Sequence, residues 1–400
     1  MSSKKINVAL IALSSIMSIR MLGLFMILPV FSVYAEHMIG ASATMIGLTL
    51  GMYGLTQAAF QIPFGLLSDH IGRKPVIFFG LCLFLIGSII CASTNSIYIL
   101  LCGRALQGAG AIGSTVLALL ADVTSEESRS KAMAFMGLSI GLAFTVAMIA
   151  GPVINHWLHL SGIFSVTALL AIIAMTLLFI IPTPPKPLKN SEKRFYNVLH
   201  NKQLWRCNAG IFFLHAILTA LFIAIPILLT HEMHLSSFQQ IILYLSVLII
   251  AFMFAVPFII VAEKKRKMKT MFVSAILAIF IVQIGLCIFH HDVAMTIFLL
   301  FVFFTAFTLL EATLPSLVSK IAPIQNKGAA MGVYSSSQFF GIFVGGALGG
   351  WIFSEAHLAG VFVFCAGVAM VWFWIATSMQ KQPENITKPE LRNIINEGNL

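Results

Sequence analysis

The stretch GLLSDHIGRKP, residues 65–75, lies between two long apolar runs and carries one acid, one imidazole and two permanent cations within residues 69–74. On a soluble protein, a glycine-flanked basic loop would point to a phosphate cradle or a clamp on a nucleic-acid backbone. The surroundings exclude both. Of 400 residues, 59% are hydrophobic and 10% charged, too little polar surface to cover a water-soluble globule of this size. The chain reads as an all-α integral membrane protein. Its net charge of +10 would suit a nucleic-acid partner only if the basic residues clustered on a soluble domain, and they do not.

Apolar segments of about 20 residues or more can cross a hydrocarbon core of about 30 Å as helices. Breaking the sequence at polar or Gly/Pro clusters gives twelve spans: 7–35, 43–66, 76–95, 97–121, 131–155, 160–182, 205–230, 236–262, 269–290, 294–320, 328–353 and 358–379. Lys4 and Lys5 precede the first as in a signal peptide, but the apolar run continues to Tyr34 and Ala35, so it reads as a retained span. The six cysteines fall inside apolar runs with no CxxC spacing and read as buried free thiols.

With the N-terminus placed in the cytoplasm, 22 of the 24 Lys and Arg fall in or beside the tails and cytoplasmic loops. The other two, Arg20 and Arg104, lie inside spans, so the opposite face carries none. Both termini are therefore expected in the cytoplasm of a bacterial inner membrane. The outer face instead carries His37, His156, His159, His231, His234, His290, His291 and His357, near Glu232 and Asp292. Their spacing is compatible with metal capture or pH sensing, but short outer loops that exclude Lys and Arg need polar residues of some kind. That plainer reading is preferred, and no metal or cofactor is expected.

The sequence also repeats. The Pro- and Lys-rich connection over residues 182–202 divides the spans six and six, predicting bundles at 1–182 and 205–379, a cytoplasmic linker at 183–204 and a tail at 380–400. IPFGLLSDHIGRK is echoed by VPFIIVAEKKRKMK, with Pro63, Phe64 and Asp69 matching Pro257, Phe258 and Glu263 at an offset of 194. SKAMAFMG echoes GAAMGVYS, and Gly151 answers Gly349, both at an offset of 198. Two six-helix repeats are what a rocking-bundle transporter shows. Polar side chains sharpen the picture, because Arg20, Gln57, Gln61, Arg104, Asn208, His215, Glu311 and Gln338 fall in spans one, two, four, seven, ten and eleven. These should face a cavity, and spans three, six, nine and twelve should face lipid, with Gln283 the exception.

GLLSDHIGRKP resembles the signature loop of the major facilitator superfamily through Gly65, Leu67, Asp69, Gly72, Arg73 and Lys74, with His70 where the family usually has Arg. LLCGRALQGAGAIG fits the family's second motif through Arg104, Gln107, Gly108 and Gly110. Gly151 and Pro152 are similar to an antiporter motif, although Asn155 and His156 stand where paired glycines follow. SIRMLGLFMILPV, GMYGLTQAAFQIPFGLLSD and AMGVYSSSQFFGIFVGGALGGW extend the resemblance to YajR-type drug:proton antiporters. Those carry a small soluble domain after the last span, where this sequence has about 20 polar residues after Ser378. The resemblance implies a twelve-helix, two-bundle fold, a proton-transfer role for Arg104, and a cytoplasmic gate. In that gate Asp69 would meet the start of span eleven near Gly328, and Arg73 would join Asp122 and Arg129.

Glu311 is the sharpest candidate for coupling, an acid about 13 Å from the inner end of span ten by helical rise. An ionised carboxylate is costly to bury, so this one can take up and release a proton as access changes. His215 lies at a similar depth and could share that proton. Arg20 keeps its charge and is read as biasing the site. Met21, Phe25, Met26, Tyr53, Phe60, Phe212 and Phe213 would give a deformable lining for varied apolar molecules, although such residues are also ordinary membrane-helix filling. The expectation is a monomeric proton-coupled antiporter exporting small amphipathic or apolar molecules. Its rivals are a symporter or facilitator for a nutrient, and a non-transporting membrane sensor or assembly protein. No Walker loop, GxSxG or HExxH motif supports an enzyme.

Overall fold

Without water in the hydrocarbon core, every backbone N–H and C=O must be satisfied within the segment, so an apolar chain of this kind becomes helix. The computed structural model describes residues 3–124, 126–182, 198, 200–264, 268–322 and 327–379, and each of the twelve expected spans falls largely on helix. The linker residues 183–197 and 199 and the tail 380–400 lie outside the described residues. So does the side chain of Arg129.

Among the described residues, nine helical segments are long and apolar enough to cross a membrane. Two of them run 50 and 51 residues, more than twice the length that one crossing needs. Each turns back at a histidine with positive φ: His159 at φ 58°, ψ −169° and His357 at φ 51°, ψ −153°. That part of backbone space is otherwise kept for glycine. The two histidines are 198 residues apart, the offset already seen between Gly151 and Gly349. Span two, the 29-residue helix Ala43–Ile71, is long enough to cross but more polar than the nine.

Three spans are interrupted where the sequence removes helical hydrogen bonds or stiffness. Span one breaks between the helices Ser3–Phe25 and Leu28–Ala35, with Pro29 in the first turn of the second. Span four is Ile97–Ala109 followed, after Gly110, by Gly113–Val123. Span seven, Lys202–Ile227, contains Pro226 and ends in the π-helical turn Leu228–Glu232.

Span one packs against span five, span two against span four, and span seven against span eleven. Between the halves, span two meets span eleven and the Leu28–Ala35 helix meets span seven. The first contact is backbone to backbone: a β-carbon on Gly47 would collide with the carbonyl oxygen of Gly346, and Gly51 and Gly350 are equally close to the opposite helix. Glycine is what permits this approach.

Enclosure follows the expected division for most spans. Of the most apolar stretch of each, 89% is buried in span seven and 78% in span one, against 44% in span three and 39% in span nine. Span eight, assigned to neither set, is the most open at 28%. All six cysteines are free, as expected, but only Cys91, Cys207 and Cys365 are buried; Cys102 is exposed.

Candidate functional site

In the first half, span one delivers Arg20 onto span two. Its guanidinium donates to Tyr53 Oη at 2.7 Å and to Gln57 Oε1 at 2.6 Å. Gln57 Nε2 donates to Gln61 Oε1 at 3.0 Å, and Gln61 Nε2 to Ser335 Oγ of span eleven at 3.2 Å. Tyr53, Gln57 and Gln61 follow one another at i, i+4 spacing on one face of span two, so the sequence spacing alone brings the two glutamines together. The result is a polar chain running from one half into the other.

Arg104 also lies against the Tyr53 ring, 4.8 Å from its centroid, while Arg20 lies 5.9 Å away. Arg104 donates to Gln107 Oε1 at 2.9 Å, and Gln107 donates to Ser88 Oγ at 2.8 Å. Both arginines are buried, at 2% and 0% exposure. Arg20 Nε and Arg104 Nε and Nη2 have no hydrogen-bond partner among the described residues. Two buried cations thus face an aromatic ring and amides, and the attraction to the ring offsets part of their desolvation cost.

The second half supplies the acid. His215 Nδ1 faces the Ile211 carbonyl at 3.3 Å, so that nitrogen carries the proton. Nε2 of the neutral ring is then an acceptor, and Gln338 Nε2 lies 2.9 Å from it. Glu311 Oε2 is 3.9 Å from the same Nε2 and has no hydrogen-bond partner among the described residues. The Glu311 side chain is 29% exposed and that of His215 1%, while the Oε2 atom that faces the ring is itself buried. Asn208, expected beside them, is buried with Oδ1 unpartnered among the described residues.

Aromatic contacts lead from His215 across to span one. Phe144 of span five lies edge-on to Phe25, 4.9 Å between centroids, and stacks on Phe307 of span ten at 5.4 Å. Phe307 in turn lies 5.9 Å from the His215 ring. Of the expected lining, Phe25 and Tyr53 belong to this centre, while Phe60 is 42% exposed and contacts Phe64. Gly151 packs against the Met26 carbonyl, and Pro152 follows it inside the helix. This motif fixes how span five sits on span one.

Sequence reading missed Ser88, Ser335, Phe144 and Phe307. Ser88 and Ser335 are single hydroxyls in apolar or serine-rich stretches, and neither phenylalanine differs in the sequence from the other 32. Gln107 was visible only as a motif position.

At the basic face, Arg73 pairs with Asp69 at 2.5 Å and with Asp122 at 3.1 Å, and donates to Ser68 Oγ at 2.6 Å. Gly72 turns the chain at φ 102°, aligning Arg73 and Lys74 at the start of span three. His70 bends back to the Leu66 carbonyl at 3.0 Å. Asp69 is held by Arg73, and a β-carbon on Gly328 would meet nothing within 4 Å. The opposite ends of spans two and eleven are already in backbone contact. Two rigid helices that converge at one end can separate at the other.

The histidine-bearing face closes the halves differently. Ser32 Oγ donates to the Phe222 carbonyl at 2.9 Å, and His231 Nε2 lies 3.1 Å from Glu36 Oε2. The histidine neighbours expected from sequence spacing are regrouped, since Glu232 faces His290 and His291 rather than His231 or His234.

Residues 13–323 and 266–395 match the Major Facilitator Superfamily. The chain belongs to the major facilitator superfamily. It is 45% identical over 377 residues to the inner membrane transport protein YajR of Escherichia coli, covering 93% of this chain and 83% of that protein. It is also 32% identical to a class B tetracycline resistance protein of Escherichia coli over 137 residues, about a third of each chain. A bacterial homologue of the human lysosomal transporter Spinster, solved in an inward-facing and occupied conformation, superposes with a TM-score of 0.74 at 14% identity, covering 95% of this chain and 98% of that one. The chain is thus a multi-pass membrane transporter with the superfamily fold.

Proposed function

We propose that this transporter is a proton-coupled antiporter that exports small amphipathic or apolar molecules by alternating access. The reading rests on one observation, the partly exposed Glu311 side chain beside His215, with its buried Oε2 unpartnered among the described residues. Neutral His215 accepts from Gln338. Glu311 takes up the exchanged proton, and its transfer to Nε2 turns that nitrogen into a donor, which breaks the Gln338 contact and redirects the ring toward Glu311. Protonation therefore rearranges a contact between spans seven and eleven, the helices that pack against each other at the centre of the second half.

Arg20 and Arg104, buried in the neighbouring half, keep their charge throughout the cycle and would bias the site as a conformational change alters their distance from it. Each proton carried through the membrane potential supplies about 2.3 kcal/mol per 100 mV, enough to bias states of similar energy. Part-exposed Phe144, backed by the buried Phe25 and Phe307, would offer the cargo an apolar contact, and the relatives named for tetracycline resistance support small organic molecules as its class. With the histidine-bearing ends joined and Asp69 held by Arg73, the arrangement corresponds to a cavity open toward the basic, cytoplasmic side. Asp69, Arg73 and Asp122 would form the gate there, with Arg129, once the cavity closes.

The test is proteoliposome transport with an entrapped pH indicator and a panel of efflux dyes plus tetracycline. Antiport predicts that adding a substrate moves protons in the opposite direction. Proton movement in the same direction would select the symporter reading, and no coupled movement with any probe would remove proton coupling.

A further inference from the structure

Three side chains on the histidine-bearing face converge from two separate turns. Glu232 closes the π-helical turn after span seven, and His290 and His291 directly follow the helix Met268–Phe289. Glu232 Oε2 lies 3.4 Å from His291 Nδ1 and 4.0 Å from His290 Nε2, and the three donor atoms all fall within 4.8 Å of one another. The two imidazole rings are 4.0 Å apart between centroids.

We propose that Glu232, His290 and His291 form a binding site for one zinc-class divalent transition cation. Zinc bonded at about 2.0–2.1 Å in tetrahedral geometry sets its donor atoms about 3.3 Å apart, so side-chain rotation of an ångström or less per group completes the set. Two imidazoles and one carboxylate are the donor types such ions take, while magnesium and calcium prefer oxygen alone.

The orientation of His290 is prepared for this. Its Nδ1 lies 3.2 Å from the Leu286 carbonyl and 3.1 Å from the Cys287 carbonyl, and only a protonated Nδ1 can bond to these acceptors. Nε2 therefore presents its lone pair to the cluster, the role that backbone carbonyls play behind metal-binding histidines. Asp292, next in sequence, is engaged elsewhere: it caps the following helix through Met295 N at 2.9 Å.

Charge and access agree with a cation. No lysine or arginine occurs in residues 207–263 or 270–319, so neither turn carries a competing positive charge. The side chain of His291 is 77% exposed and that of Glu232 36%, which leaves a fourth position open to water. The site is independent of the central Glu311–His215 pair and of whether transport is proton-coupled.

Calorimetric titration of the full chain in detergent with zinc chloride tests the assignment, with magnesium chloride as the comparison. One saturable zinc site is expected, with no magnesium binding. His291→Ala, His290→Ala and Glu232→Gln should each weaken zinc binding tenfold or more, and His156→Ala, on another turn of the same face, should leave it unchanged. Because His291 is largely exposed, His291→Ala keeps the zinc-free melting temperature of the parent and loses only the rise produced by zinc. Absence of saturable zinc uptake would overturn the proposal. So would parent-like zinc affinity in the three cluster variants, or a loss in His156→Ala as large as theirs.

Discussion

Gly47 and Gly346 touch through their backbones, leaving no room for a side chain on either where span two crosses span eleven. This contact closes one end of the space between the halves. A β-branched residue at Gly47 cannot be absorbed by rotamer change, because the obstacle is a carbonyl oxygen. Overpacking of this kind costs about 1–3 kcal/mol, a factor of roughly 5 to 150 in a two-state equilibrium. Gly47→Val should therefore shift the population away from the closed histidine-bearing end. Spin labels placed on the outer ends of spans two and eleven would show a longer distance in the variant, and an unchanged distribution would contradict the packing argument.

His159 and His357 occupy equivalent turns, 198 residues apart, with backbone angles that a β-branched residue tolerates poorly. Glycine at either site should be tolerated without loss of stability, since it relieves the conformational cost of about 1–3 kcal/mol. Valine should lower the melting temperature at both sites. Thermal unfolding of the purified variants in detergent measures this, and equal stability of the glycine and valine forms would argue against strain at these turns.

Sequence made the membrane fold readable because its signals are long: apolar runs, one-sided Lys and Arg, and a six-span repeat. It also placed Arg20, Gln57, Gln61, His215, Glu311 and Gln338 near the centre, because polar side chains in lipid need protein or water beside them. What it could not supply was partners. The joining of Gln61 to Ser335 and of Phe144 to Phe307 depends on how two bundles meet, which no local spacing encodes. The outer histidines illustrate the same limit. Read as polar filler, His159 and His357 turn out to shape turns, and His290 and His291 find Glu232 some sixty residues away.

The Arg73 pairings with Asp69 and Asp122 lie at a partly exposed helix end, so each contributes only about 0.2–1 kcal/mol to stability. Asp69→Asn should accordingly change the melting temperature little. If Asp69 serves the gate, the same variant slows transport severalfold by weakening the state closed at the basic face. Parallel measurements of melting and transport separate the two effects, and unchanged transport would remove Asp69 from the gate.

Arg20 holds Tyr53 and Gln57 through one guanidinium nitrogen while lying against two rings, a geometry lysine cannot reproduce. Arg20→Lys should preserve charge yet weaken the chain that leads through Gln61 to Ser335. Transport should fall about tenfold with the protein still folded, as monitored by gel filtration and rate measurements. Full activity in Arg20→Lys would show that charge alone matters.

The central claim is that Glu311 carries the exchanged proton. Glu311→Gln keeps the size and shape of the side chain beside His215 Nε2 but removes the titratable group. The decisive measurement is substrate-evoked proton movement in proteoliposomes, recorded beside substrate binding for the same preparation. The account predicts that Glu311→Gln still binds substrate but shows no coupled proton flux. Undiminished coupled transport by this variant would contradict it.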